Sequence, residues 1–595
     1  SEFAYKQYQM IHSRYDMVYE PFPLTNVQQA YLMGREAIFE LGNITTHSYV
    51  EYRFDTLDVK QLEIALNRVI ERHGVLRMIF EEGQQRYLKD NWYYPISCEN
   101  FTSEESLFSC REELSHKIYA QDTYPLFDIK VSYCCFDNQR PFYLLHMSID
   151  ALLMDAYSAR LFMQEWTEFY LHPNKSLSPV PFEYRDYILQ WKKIRESELF
   201  LKDKQYWESR LSSYVFEMNL PLLCAPHDVK EPYFSRITKT IPTDLWKPLQ
   251  QKITAAGLSP TAVLLAAYGK VLSDWSNQRE LCINVTLFQR LPLHDDIYRV
   301  LGDFTVLELF QYQAQTGSTS AVLRHHHEKL LEDLKHILFD GVDLQRMIRE
   351  RRHYATYSRG LSPIVLTSVL GIHQEPGQRK TIDPSFQGVH YAITQTPQVW
   401  IDNKAYETSQ GLVAEWDYVE QLFAREIIEQ MHQDYCNVLI QLNETSWGEN
   451  NIWLSSLPSL KEKHFDNLSS LQYRPLLAAE TKREYVSSRN GIEEEICHLY
   501  AEFLNISLSS ISVYDDFFEL GGNSLVAIQL VSRLNRQFEI SLNLIDLFQH
   551  PQIANLAYLI QTTSSEFAYK QYQIIPSRSD MVLSLIHISE PTRHG

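Results

Sequence analysis

LLHMSIDALLMDAYS, residues 144–158, places two aspartates, Asp150 and Asp155, five positions apart in a mostly apolar stretch. A carboxylate in such surroundings carries a large desolvation cost unless an arginine or backbone N–H groups meet it. Five residues along an α-helix turn through about 500°, some 140° off a common face, so a helix would not present the two as a proton-sharing pair. YLLHMSI (143–149) reads as a buried strand ending near Asp150, and AYSARLFMQEWTEFY (156–170) as the helix that follows. Asp155 therefore reads as a structural carboxylate, with Arg35 and Arg290 both candidates to hold it. Asp150 stands evenly between a structural and a catalytic role. His146 with the two aspartates could ligate a metal, but no further ligand cluster supports one, and none is expected.

The chain has 595 residues, a net charge of −20, 22% charged and 45% hydrophobic residues. This is globular composition, enough for roughly three or four structural units at about 150 residues each. The acidity disfavours nonspecific binding to nucleic acid or an anionic membrane. No apolar run reaches the roughly 18 residues of a membrane span, and SEFAYKQYQ lacks a signal peptide's pattern, so a cytoplasmic location is expected. The eight cysteines are scattered without a CxxC pair and read as reduced core residues. His325–His327, with His336, fall in the helix-like SAVLRHHHEKLLEDLKHI and read as a solvated helix face.

SEFAYKQYQMIHSRYDMV at 1–18 recurs as SEFAYKQYQIIPSRSDMV at 565–582, which suggests a repeating multidomain parent. Residues 1–20 are read as inter-domain linker, and 563–595 as the repeat of that linker plus a foreign tail, LSLIHISEPTRHG. Strand-like and helix-like patterns alternate between about 21 and 450. A polar connector follows over 446–484, and then a short helical unit in which Ile492, Ile496, Leu499 and Phe503 make one apolar stripe.

In that unit, DDFFELGGNSLVAIQL sets Ser524 after Gly521-Gly522-Asn523 at a helix start. Residue types alone allow a plain N-cap. Val526 excludes a GxSxG nucleophile elbow, and no GK[ST] makes a phosphate loop. With YVSSRNGIEEEICHLYAEFL before it and LFQHPQIANLA after it, residues 485–562 resemble a peptidyl carrier protein of nonribosomal peptide synthetases. The resemblance implies 4'-phosphopantetheine attached to Ser524, installed by a phosphopantetheinyl transferase. A helix N-terminus suits the phosphate.

Residues 21–445 resemble the heterocyclization (Cy) branch of the condensation superfamily of these synthetases. The resemblance rests on FPLTNVQQAYLMGR (22–35), RHGVLRMIF (72–80), LCINVTLFQRLPLHDDI (281–297), LGDFTVLELF (301–310), SPIVLTSVL (362–370), QTPQVWIDNKA (395–405) and LVAEWDYVEQLF (412–423). Asp150 and Asp155 fall on DxxxxD, the branch's replacement for HHxxxDG. The implied fold class is α/β, with two chloramphenicol-acetyltransferase-like lobes, about 21–190 and 191–445, in a V around a tunnel, followed by a small all-α four-helix carrier domain. The implied chemistry condenses a donor acyl thioester with a carrier-bound Cys, Ser or Thr, then cyclodehydrates the amide to a thiazoline or oxazoline, as in siderophore and other secondary-metabolite pathways. On the matching positions Asp402 is the expected acid/base and Thr367 orients it or the departing oxygen. Asp150 is counted with them as catalytic, and Gln398 places the substrate.

Gln289 departs from the usual Asn of TLFNR. No adenylation domain lies between the two units, so loading is expected in trans or from elsewhere in the parent. The implied partners are an upstream donor carrier, that adenylation domain and neighbouring synthetase modules. Two other readings stay open: amide formation without ring closure, and a catalytically silent unit that docks or gates carriers.

Overall fold

The computed structural model describes residues 11–36, 39–352, 360–370, 382–448, 453, 485–522 and 524–563. The first linker is thus described only from residue 11, while most of the 446–484 connector and the repeat and tail after 563 lie outside the described residues. The chain divides into two compact units, 1–478 and 479–595.

The large unit is built on two main sheets. Its first half contributes β1 (Phe22–Pro23), β2 (His47–Phe54), β3 (Met78–Glu81), β4 (Gln84–Tyr87), β5 (Cys98–Phe101), β6 (Phe127–Cys134) and β7 (Phe142–Asp150). Its second half contributes β8 (Phe234–Pro242), β9 (Glu280–Phe288), β10 (Thr305–Gln313), β11 (Ile364–Ser368), β12 (Phe386–Gln395), β13 (Ile401–Thr408) and β14 (Gly411–Val419). One sheet has the order β12-β2-β7-β6-β5, the other β10-β9-β11-β13-β14-β8, and β1-β4-β3 form a small third sheet. In chain order the first main sheet ends with β7 at Asp150 and the second begins with β8 at Phe234, apart from β12. That strand comes from the second half and pairs antiparallel with β2, covering an edge that would otherwise expose unpaired backbone groups.

β7 is buried along nearly its whole length, because β2 and β6 flank it and helices pack on its sheet. It ends at Asp150, which pairs with His47 of β2. After a short turn the helix Ala156–Leu171 begins, with Asp155 as its N-cap accepting from the Ser158 amide at 2.7 Å. In the second lobe the helix Pro260–Ser276 is capped by Ser259 and has proline in its first turn. It is buried along most of its length beside the helix Arg425–Glu444, in a core shared with β9, β11, β13 and β14.

The histidine run lies on the helix Thr319–Leu334, but that helix does not present it to solvent as the sequence suggested. His325 is exposed, His327 accepts from the Ser259 amide at 3.1 Å, and His326 is fully buried against Tyr312. His336, just beyond, stacks on Tyr206 and bonds Asp203 at 3.0 Å.

The small unit contains the helices Gly491–Leu504, Ser524–Phe538 and Leu544–Gln549, and a helical stretch over 553–563. Ile496, Leu499, Tyr500, Phe517, Leu530, Leu534, Leu556 and Ile560 fill its core. Among the described residues no single helix is long and apolar enough to cross a membrane.

Candidate active site

Alternation along β13 sorts its side chains. Ile401, Asn403 and Ala405 are fully buried toward the helices, while Asp402, Lys404 and Tyr406 face the other way and are only partly covered. Parallel pairing with β11 brings Thr367 onto that face, where its hydroxyl donates to Asp402 Oδ1 at 3.0 Å and lies 3.3 Å from the Thr286 hydroxyl of β9. Asp402 keeps 13% of its side-chain surface exposed. Burial raises its pKa above the ordinary carboxylate value, and the Lys404 ammonium 3.6 Å away pulls against that rise.

Antiparallel pairing sets Asp417 of β14 directly opposite Asp402. Asp417 is fully buried, accepts both arms of Arg236 at 2.7 Å, and takes the Lys404 ammonium at 2.5 Å. Burial alone would raise its pKa, but the two cations together hold it well below the usual range. Thr394 of β12 adds its hydroxyl at 2.6 Å, which ties the strand lent to the first sheet to the second sheet beside Asp402.

The two aspartates of the opening segment are held separately. Asp150 is fully buried, bonded to Arg35 at 3.2 Å and to the Leu152 amide at 3.0 Å. Asp155 accepts from the Ser158 and Phe304 amides, with Arg290 3.8 Å away. The choice left open for Asp155 thus falls to Arg290, and Arg35 belongs to Asp150. Burial raises both carboxyl pKa values, each partly offset by its arginine. His146 is occupied elsewhere, its ring nitrogens bonded to Tyr49 and Ser132. Among the described residues no group of three or more His, Cys, Asp or Glu could hold a metal.

Tyr31, on the helix Asn26–Gly34, links these parts. Its phenol pKa is pushed well up by burial and then by the nearby carboxylates of Asp303, Asp402, Asp155 and Asp150. The DxxxxD segment and Asp402 therefore lie within electrostatic reach of one hydroxyl. Gln398 sits in the turn between β12 and β13 with φ +64°, a left-handed conformation uncommon for a non-glycine residue, and its amide donates to the Leu41 carbonyl. Gln289 lines a cleft with Thr25, Asn26, Tyr187, Asp303 and Asp340. Sequence reasoning assigned no role to Tyr31, Lys404, Asp417 or Arg236, although the first three fall within motif segments already singled out; period-two spacing from Asp402 was the available signal for Lys404.

The chain matches the Condensation domain family over residues 20–454. It belongs to that family. Residues 494–560 of this condensation-domain protein match the phosphopantetheine attachment site family. Bacitracin synthase 1 of Bacillus licheniformis is 34% identical over 449 residues, which cover 72% of this chain and 8% of that protein. Pyochelin synthetase PchF of Pseudomonas aeruginosa is 32% identical over 445 residues, covering 72% and 24%. Among solved structures, the EpoB cyclization-docking bidomain from Sorangium cellulosum superposes with a TM-score of 0.68 at 28% identity, covering 75% of this chain and 91% of that one. The condensation-domain protein thus has the two-lobed fold of its family, and spans a quarter or less of either synthetase.

In the carrier unit, Ser524 is the first residue of a 15-residue helix. Gly521, three residues before it, has φ +100°, and a Cβ added there would meet nothing within 4 Å, whereas one at Gly522 would collide with Phe517. A helix N-terminus fits a phosphopantetheine phosphodiester.

Proposed function

We propose that the large unit joins a carrier-bound donor acyl thioester to a carrier-bound cysteine, serine or threonine and then closes the new amide to a thiazoline or oxazoline. The observation that carries this reading is the Thr367 hydroxyl bonded to a largely buried Asp402 whose pKa is raised. Ring closure needs a group that both takes and gives protons, and a carboxyl whose pKa burial displaces upward suits that role. The names phenyloxazoline synthase, for a relative 27% identical over 421 residues, and cyclization-docking bidomain, for the EpoB structure, point the same way.

In this scheme the side-chain thiol or hydroxyl attacks the amide carbon while Asp402 takes its proton and passes it to the former carbonyl oxygen. Asp402 then takes the proton of the amide nitrogen as C=N forms and delivers it to the departing hydroxyl. One water leaves, and the carboxylate ends as it began. Thr367 fixes the carboxylate's orientation. Gln398 is assigned to substrate placement. Asp150, enclosed on Arg35, acts by holding the segment between the strand and the helix in place. Ser524 carries the acyl chain as a thioester on its phosphopantetheine arm. Loading requires a phosphopantetheinyl transferase and an adenylation domain elsewhere or in trans, with an upstream carrier as donor and neighbouring modules beyond. Eight free cysteines suit the reducing cytoplasm.

Incubation of the loaded full chain with an acylated donor carrier, followed by mass measurement of the carrier-bound product, tests the reading. Wild type should give the mass of the amide less one water, and Asp402→Asn the amide alone. An Asp402→Asn protein that still closes the ring would overturn the assignment. A wild type that stops at the amide would favour condensation only, and one forming neither would favour the carrier-docking alternative.

A further inference from the structure

We propose that Lys404 is a positioning residue for ring closure, its ammonium acting as a movable counter-ion that leans to Asp402 when that carboxyl is ionised and to Asp417 when it carries a proton. The inference rests on the acid/base role of Asp402.

On this face of the sheet two cations, Arg236 and Lys404, meet three carboxylates, Asp402, Glu415 and Asp417. Arg236 already serves two of them, binding Asp417 with both arms and reaching Glu415 at 3.2 Å. Glu415, which lies directly opposite Lys404, also accepts the Tyr406 hydroxyl at 2.6 Å. The single charge of Arg236 is thus shared between the two, and Asp417 also draws on Lys404. Its present partner, Asp417 Oδ2, already accepts from Arg236 and from both the amide and hydroxyl of Thr394, so the lysine is the fourth donor on one oxygen. Asp402 Oδ2 lies 3.6 Å from the same ammonium. With both side chains about one-seventh exposed, a small rotation of the lysine tip moves its bond from one carboxylate to the other.

Like charges set directly opposite across strands repel, and Asp402 faces Asp417 in this way. Without Lys404, an ionised Asp402 would have Asp417 opposite it and Arg236 beyond, with the neutral Thr367 and Thr286 hydroxyls beside it and Tyr31 of the helix Asn26–Gly34 and Tyr268 of the helix Pro260–Ser276 nearby among the described residues. The lysine thus lets one carboxyl visit both protonation states within a cycle, and consumes nothing itself. Asp402's raised pKa, with Lys404 as the main opposing influence, agrees with this geometry.

The test is the pH dependence of ring closure by the loaded full chain, each variant scaled to its own optimum, with circular dichroism as the check on folding. Lys404→Met should move the acidic limb of the profile upward by about one pH unit or more, because the carboxylate form of Asp402 loses its counter-ion. Lys404→Arg, which keeps the charge, should leave the limb within a few tenths of a unit of wild type. A folded Lys404→Met protein with the wild-type limb, or an arginine variant shifted as far as methionine, would defeat the proposal. If Asp402→Asn abolishes ring closure while Lys404→Met leaves the profile in place, only the lysine inference fails; if Asp402→Asn closes the ring, the acid/base reading fails first.

Discussion

Thr367 donates its hydroxyl proton to Asp402 across 3.0 Å, from a neighbouring parallel strand and not from the same segment. Hydrogen bonds to charged groups are worth about 1.5–3 kcal/mol, and each 1.4 kcal/mol is tenfold in rate. Thr367→Val keeps the shape and removes the donor. Ring closure is expected to fall about tenfold to a hundredfold, while Thr367→Ser restores most of it. Single-turnover rates of water loss from the carrier-bound amide measure both, and equal rates for the valine and serine variants would show that the hydroxyl has no part in the step.

The other named carboxylate does structural work that can be measured separately. Asp155 caps the helix Ala156–Leu171, bonds the Phe304 amide and faces the buried Arg290. Asp155→Ala removes the cap and leaves that guanidinium without its carboxylate, a loss on the order of 3 kcal/mol. Asp155→Asn should cost less, because asparagine also caps helices. All ten tryptophans precede the carrier unit, so tryptophan fluorescence during urea unfolding of the full chain reports the large unit alone. Alanine and asparagine variants of wild-type stability would remove the structural role.

These contrasts show what a linear reading could reach. The strand to Asp150 and the helix after Asp155 were legible because burial leaves a period in the sequence; the helical spacing argument for the two carboxylates does not apply, because the segment between them is a turn. The partner of each aspartate was not legible: Arg290 lies 135 positions beyond Asp155, and no local rule ranks it against Arg35. The passage of β12 into the first sheet was hidden for the same reason, since edge pairing depends on which strand arrives and not on its own pattern. Lys404 was visible as a residue two from Asp402, but its place between two carboxylates depends on the register with β14. His326 was misjudged because a charged helix can still turn one polar residue inward.

His326 therefore supplies a test by pH. Its imidazole is fully buried, stacked on Tyr312 and near Phe310, with neither ring nitrogen bonded among the described residues. Burial, then the neighbouring His325 and Lys329, lowers its pKa from 6.5 to about 3. Below pH 6.5 the unfolded chain takes up a proton that the folded chain refuses, so stability from this site falls as pH drops from about 6.5 toward about 3. At pH 5, a unit and a half below 6.5, the deficit is about 2 kcal/mol at 1.36 kcal/mol per unit. His326→Phe removes both the unbonded nitrogens and the titration while keeping a ring against Tyr312. It should be more stable than wild type at pH 7, by about 1 kcal/mol or more, because an unsatisfied buried polar group is costly. Its advantage should widen by about 2 kcal/mol at pH 5. Buried His47, His146 and His432, each lowered to about 4, lose stability alike in both proteins and cancel in the difference. Urea unfolding followed by tryptophan fluorescence at the two pH values measures that difference, and an advantage that stays constant from pH 7 to pH 5 would mean that His326 takes up its proton as readily in the folded chain as in the unfolded one.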